Sequence, residues 1–177
     1  MDTAAAERLL AALDCLGLAY ERRRHEVPRH ARHLAALWGV PLHEAGRATL
    51  LKADHRAVLA LVPADRKISA PRLRQLLGVA ELRVLRGDRG VGRLGWQGLP
   101  EPAGALPAVP EMFGASALVE RLVLQAPRLI VALGGGSSIA LAPADFVRAT
   151  HATVASFAGT TRLLPEGGLL EDPPPAG

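Results

Sequence analysis

A mixed α+β domain with a partly antiparallel sheet is the fold class this sequence predicts, and three observations predict it. Apolar runs of strand length alternate irregularly with short helical patterns, without the regular spacing of βαβ units. Two pairs of those runs are divided by short polar or glycine spacers, as in hairpins. The 177 residues, 49% hydrophobic, fill one core and show neither an internal repeat nor a second domain.

Thr3 to Leu18 predicts a helix, with Leu9, Leu10, Leu13 and Leu16 near a 3.6-residue period and Gly17 as its stop. Tyr20 to Val27 reads as a short polar edge strand, and a helix is expected from about Arg29 to Trp38, ended by Gly39 and Pro41. The runs from Thr49 to Ala53 and from Ala57 to Pro63, divided by Asp54-His55-Arg56, form a β-hairpin. From Ser69 to Leu77 the leucine spacing is helical, with Ser69 as N-cap, Pro71 in the first turn and Gly78 as the stop. Leu82 to Leu85 is a further strand, and the Gly- and Pro-dense stretch between Gly87 and Pro110 is a long loop of the kind that carries function. A helix is expected from Ala115 to Leu124. A second hairpin turns at Gly134-Gly135-Gly136-Ser137-Ser138, and Pro143 opens a helix. The domain is expected to span 1–160, with 161–177 a flexible tail.

Composition excludes several classes. No apolar run reaches the ~18 residues of a membrane span, and the apolar N-terminal stretch is interrupted by acids and an arginine, unlike a signal peptide. A single cysteine, Cys15, forms no internal disulfide and no Cys-rich zinc site, and is expected to be a small core residue. These features place the chain in the cytoplasm and away from membranes. The net charge of +4 arises from 21 basic and 17 acidic residues, and all but two of the basic residues are arginine. Arginine matches phosphate oxygens bidentately, so the balance is compatible with a phosphate-bearing partner without demanding one.

Gly90-Val-Gly92-Arg-Leu-Gly95 matches a dinucleotide string but lacks a following helix, since Pro100 and Pro102 come almost at once. His25, His30 and His33 have no metal-site spacing and read as surface groups, so no metal or cofactor is expected. No nucleophile motif is present. Lys52 differs from its surroundings: it stands in the otherwise apolar run Thr49-Leu-Leu-Lys-Ala, on the face of Leu50 and opposite Leu51. Such an ammonium either snorkels to solvent from an edge strand or faces a polar pocket.

The order of features is more informative than any one of them. His25 after a helix, the lysine strand TLLKAD, the run LALVPADRKIS with its helix and LLG, the loop GLPEPAG from Gly98 to Gly104, LPAVPE, and the closing GGGSSIALAPADF together resemble the YbaK/prolyl-tRNA editing-domain family. The resemblance covers roughly Leu16 to Thr150. It implies a single α+β domain with a central, largely antiparallel sheet curled into a barrel-like shape, and hydrolysis of the ester of a mischarged tRNA, Cys-tRNA(Pro) or Ala-tRNA(Pro). It implies Lys52 as the catalytic group and a substrate site formed by His25, Gly98, Pro102 and Gly104, and by Gly134, Gly135, Gly136 and Ser137. The implied partner is the 3′ end of an aminoacyl-tRNA, with an aminoacyl-tRNA synthetase as a further partner and no DNA. An activated ester asks only for positioned groups, so no general base is assigned. Arginines 22 to 24 and 29 could meet the RNA backbone. Relatives carry a Thr- or Glu-rich helix where this chain has Arg29-His-Ala-Arg-His-Leu, so the pocket entrance is expected to differ. Two alternatives stay open: a non-catalytic tRNA- or nucleotide-binding module of the same fold, and an interaction domain whose basic surface meets an acidic protein.

Overall fold

The computed structural model describes residues 3–86 and 104–162. Helix α1 (Thr3–Cys15) leads into β1 (Tyr20–Arg24) and α2 (Ala31–Trp38). The hairpin β2 (Gly46–Ala53) and β3 (Arg56–Pro63) follows, then β4 (Arg66–Ile68), α3 (Ala70–Leu77) and β5 (Leu82–Arg86). Beyond the undescribed segment come β6 (Ser116–Glu120), β7 (Leu129–Gly134), β8 (Ser137–Leu141), α4 (Pro143–Thr150), β9 (Thr153–Ala155) and β10 (Ala158–Arg162). The strands form a five-stranded sheet in the order β5-β2-β3-β6-β9, a three-stranded sheet β1-β8-β7 and a pair β10-β4. All pairings are antiparallel except β3 with β6 and β6 with β9. A parallel bridge between Ala45 and Ile130 stitches the start of β2 to β7. The architecture is the mixed α+β domain with a central mixed sheet and flanking helices that the sequence predicts.

The alternation of β2 and β3 distributes two cores. Ala48, Leu50, Leu59 and Leu61 face the interior between the two larger sheets, where they meet Val131, Leu133, Ile139 and the Leu9, Leu10 and Leu13 face of α1. Leu51, Ala53, Val58, Ala60 and Val62 face the other way, onto Leu73 of α3 and Phe157. A third cluster, with Leu34 and Trp38 of α2 against Ile130, Ala132 and Ala140, covers the outer face of the three-stranded sheet. Burial and the neighbouring Asp14 carboxylate push the Tyr20 phenol upward, at the joint of α1 with β1.

Several elements lie where expected. Ser69 caps α3 by accepting the Arg72 amide hydrogen bond, and Pro71 sits in the first turn. The two hairpins pair as read, and β1 is an edge strand. Other expectations are corrected. Residues 115–124 form no α-helix: Ser116–Glu120 is a strand between β3 and β9, followed by a 3-10 turn, Arg121–Gln125. That strand is buried on both faces, Leu118 in one core and Val119 in the other, so its apolar run has no period to distinguish it from a helix. Cys15 is exposed, because α1 turns Ala5, Leu9 and Leu13 inward and ends with the cysteine outside that face. Leu16 is exposed as well.

Glu120, 2% exposed, ties the end of β6 to the last strands. Its Oε2 accepts the Phe157 and Ala158 amides, each at 2.6 Å, and Oε1 accepts the Leu122 amide at 3.4 Å. A carboxylate in this place replaces the ladder partners that the turn between β9 and β10 would otherwise lack.

Candidate functional site

Strand β1 pairs with β8 from Tyr20↔Leu141 to Arg24↔Ser137, and the ladder runs one residue further, with the His25 amide donating to the Gly136 carbonyl at 2.9 Å. His25 therefore lies at the corner where the polar edge strand meets the glycine turn. Gly134, Gly135 and Gly136 all have positive φ, at 95°, 59° and 73°. At Gly136 the requirement is double, because a Cβ there would overlap the His25 carbonyl oxygen. Gly104, at φ 92°, has the same relation to the Pro28 carbonyl, which accepts the Ala105 amide at 2.6 Å. The segment from His25 to Pro28 is thus held between two glycine corners, one from the β7–β8 turn and one at Gly104.

The His25 ring is fixed on both nitrogens. Nδ1 lies 2.7 Å from the Glu26 carbonyl, which can only accept, so Nδ1 carries the proton. Nε2, 2.5 Å from Ser138 Oγ, then accepts the serine hydroxyl. Ser138 is fully buried, and its oxygen in turn accepts the Trp38 Nε1–H at 2.8 Å. This chain runs from the indole to the Glu26 backbone with every donor matched. In this tautomer both ring nitrogens are engaged within the protein. His33 braces the same segment: its Nδ1 accepts the Arg29 amide at 3.1 Å and its Nε2 lies 3.3 Å from Glu26 Oε1. His30 caps α2 by accepting the His33 amide, so the Arg29-His-Ala-Arg-His-Leu segment supplies a cap and a brace.

Lys52 shares the face of Leu50, as its position in the strand requires. It does not lie on an edge: β2 is flanked by β3 and β5, with Lys52 opposite Ala57 on one side and Arg83 on the other. The side chain is exposed at the end of the strand and forms no ion pair with a described residue, whereas Arg83 is paired with Glu81. From the Ala45–Ile130 bridge, β2 and β7 run in the same direction, so Lys52 and the glycine turn lie toward one end of the molecule. Gly98 and Pro102 lie outside the described residues, as does the Gly90 to Gly95 string. The segment that holds them leaves the sheet at Arg86, opposite Leu50, and returns at Gly104 beside Pro28. Its two ends are therefore set at the lysine strand and at the His25 corner.

Of the expected residues, the structure brings His25, Gly104 and Gly134 to Gly136 together. Ser137 faces the other way and accepts a hydrogen bond from Arg22 Nε at 3.1 Å; its neighbour Ser138 occupies the polar position beside His25. Sequence reasoning missed Ser138 and Trp38. A buried indole N–H calls for an acceptor, and that signal is present in Trp38 at the end of an amphipathic helix. Ser138→Ala should destabilise the fold by about 2 kcal/mol in urea titration, because it strands the Trp38 N–H. With Trp38→Phe added, a double-mutant cycle should show coupling of about 1 kcal/mol, and strict additivity would mean the bond contributes nothing.

Among the described residues no group of three or more metal-ligating side chains occurs, and no helix is long and apolar enough to cross a membrane. No curated protein matches the sequence at a significant level. Among solved structures, a crystal structure of a hypothetical protein superposes with a TM-score of 0.65 at 21% identity, covering 86% of this chain and 99% of the other. One described as "a putative trans-editing enzyme for prolyl tRNA synthetase" superposes at 0.63 and 19% identity, covering 88% and 97%. A Marinobacter aquaeolei protein described as "a putative signal transduction protein" superposes at 0.61 and 20% identity, covering 86% of this chain but 30% of its own, so the same fold also occurs within a longer chain. At these identities the likeness establishes the fold. The family model of the aminoacyl-tRNA editing domain matches residues 25–149, from the His25 corner to the last turn of α4, and on that match the chain belongs to the aminoacyl-tRNA editing domain family.

Proposed function

We propose that this protein is a trans-acting hydrolase of the cytoplasm that removes a wrongly attached amino acid, cysteine or alanine, from tRNA(Pro). The observation that carries this reading is the His25 corner. It combines two glycine turns with a histidine bonded on both nitrogens, and the serine on that histidine is fully buried, which suits a substrate whose ester is already reactive. In the reaction, water adds to the ester carbonyl and the bond to the ribose oxygen breaks. The ribose oxygen leaves with a proton, releasing free amino acid and tRNA. The neighbouring ribose hydroxyl, or the side chain of the misattached amino acid, assists the attack.

The protein's part is positional. The Gly135 and Gly136 amides stand at the tip of the turn, beyond the strands, where they can donate to the oxygen that gains charge in the transition state. Donors of this type are worth ~3 kcal/mol each in acyl transfer. Lys52 supplies a compact positive charge for the terminal phosphate or the ester carbonyl, and Gly98 and Pro102 are further substrate-binding residues. Among small amino acids the choice rests on pocket volume, where one methylene is worth only ~1–3 kcal/mol.

The test is release of amino acid from a panel of mischarged tRNAs, with correctly charged prolyl-tRNA as the control. Lys52→Ala should lower the rate at least tenfold while leaving thermal stability unchanged, since the side chain is exposed. An unchanged rate would remove the lysine from the site. Salt-sensitive tRNA binding without hydrolysis of any charged tRNA would instead identify a binding module.

A further inference from the structure

We infer that Arg23, held over the Trp38 ring, is a stacking platform for the terminal nucleobase of the RNA; this rests on the aminoacyl-tRNA reading of the His25 corner. Arg23 pairs across the ladder with Ser138, so its side chain shares the face of the strand that meets Ser138 and Trp38. Its guanidinium carbon lies 4.0 Å from the centroid of the Trp38 ring. The indole is buried and its Nε1 is tied to Ser138, so the ring plane cannot turn. The guanidinium is also held at one corner, with Nε donating to Glu21 Oε1 at 2.7 Å. The guanidinium face away from the indole is left on a side chain 44% exposed.

Two features make this a surface for a base rather than for a phosphate. The Glu21 carboxylate offsets the charge, and the group lying over the indole presents a planar face outward. A planar cation with one free face is a partner for an aromatic base, as arginine is in single-stranded RNA recognition. The position fits. Arg23 precedes His25 by two residues on the same side of β1, about 7 Å at the ~3.3 Å rise of a strand. That is the reach between an ester on the terminal ribose at the His25 corner and the base on the same ribose. Trp38 thereby serves both ends, its N–H orienting Ser138 and His25 and its ring face supporting Arg23.

The test is fluorescence anisotropy with the full chain and two uncharged tRNA(Pro) transcripts, one ending in CCA and one lacking the final adenosine. Wild type should bind the complete transcript about tenfold more tightly. Arg23→Lys and Arg23→Ala should both reduce it to the level of the shortened one, whose affinity should change less than twofold. Discrimination that persists in both variants, or an Arg23→Lys protein that retains it, overturns the platform. So does equal weakening of both transcripts, which would make Arg23 a phosphate contact. Deacylation by wild type, measured in parallel, separates this inference from the one beneath it. Hydrolysis without Arg23-dependent discrimination defeats the platform alone, and discrimination without hydrolysis supports the platform and defeats the hydrolase.

Discussion

Gly136→Ala should destabilise the protein by about 3 kcal/mol and lower deacylation about a hundredfold. The left-handed backbone accounts for ~1–2 kcal/mol of this, and the rest follows from displacing the His25 carbonyl, which a methyl group at position 136 would overlap. The loss of rate follows from geometry, since a shift of about 1 Å in a positioned group can reduce turnover a hundredfold. Gly135→Ala is the control. Its φ is also positive, but a methyl group there meets nothing within 4 Å, so it should cost only about 1 kcal/mol, with a smaller loss of rate than Gly136→Ala because the His25 carbonyl is not displaced. Urea titration and the deacylation assay measure both. Equal effects at the two glycines would mean that the contact with His25 is irrelevant to the site.

Glu120→Ala should have a comparable effect on stability, about 4 kcal/mol, without touching the site directly. The substitution removes two short charge-assisted hydrogen bonds and leaves the Phe157 and Ala158 amides buried without an acceptor. Glu120→Gln retains an acceptor oxygen and should lose about 2 kcal/mol. The damage should spread to α3, because Ser69, its cap, donates its own amide to the Phe157 carbonyl at 2.8 Å. Denaturant unfolding of the two variants tests the ranking, and a loss below about 1 kcal/mol for the alanine variant would show that water or a neighbouring group replaces the carboxylate.

Legibility in the sequence followed the locality of the forces. Hairpins, caps and helices whose signals lie within a few residues, such as Ser69 with Pro71 and Gly78 or the turn at Gly134 to Gly136, were readable because turn chemistry and periodicity are local. Strand β6 was not, because its parallel neighbours β3 and β9 are distant in sequence and its two-faced burial erases alternation. The very short β4 and β9 carried no period at all. At the site, His25 and the glycines followed from resemblance, and the place of Lys52 on the Leu50 face followed from alternation. That the lysine lies within the sheet rather than at its edge depended on the pairing with β5, which no local pattern encodes. The choice between Ser137 and Ser138 is one step of strand register, and a run of two serines gives no cue to it.

The His25–Ser138 bond joins residues 113 positions apart. During synthesis β1 must therefore wait, unpaired, until β8 has left the ribosome, and the His25 corner is among the last parts of the molecule to exist. An apolar strand left open that long would recruit other nascent chains, whereas three consecutive arginines repel their own kind. The charges on β1 thus guard the newborn polypeptide while its partner strand is still to come.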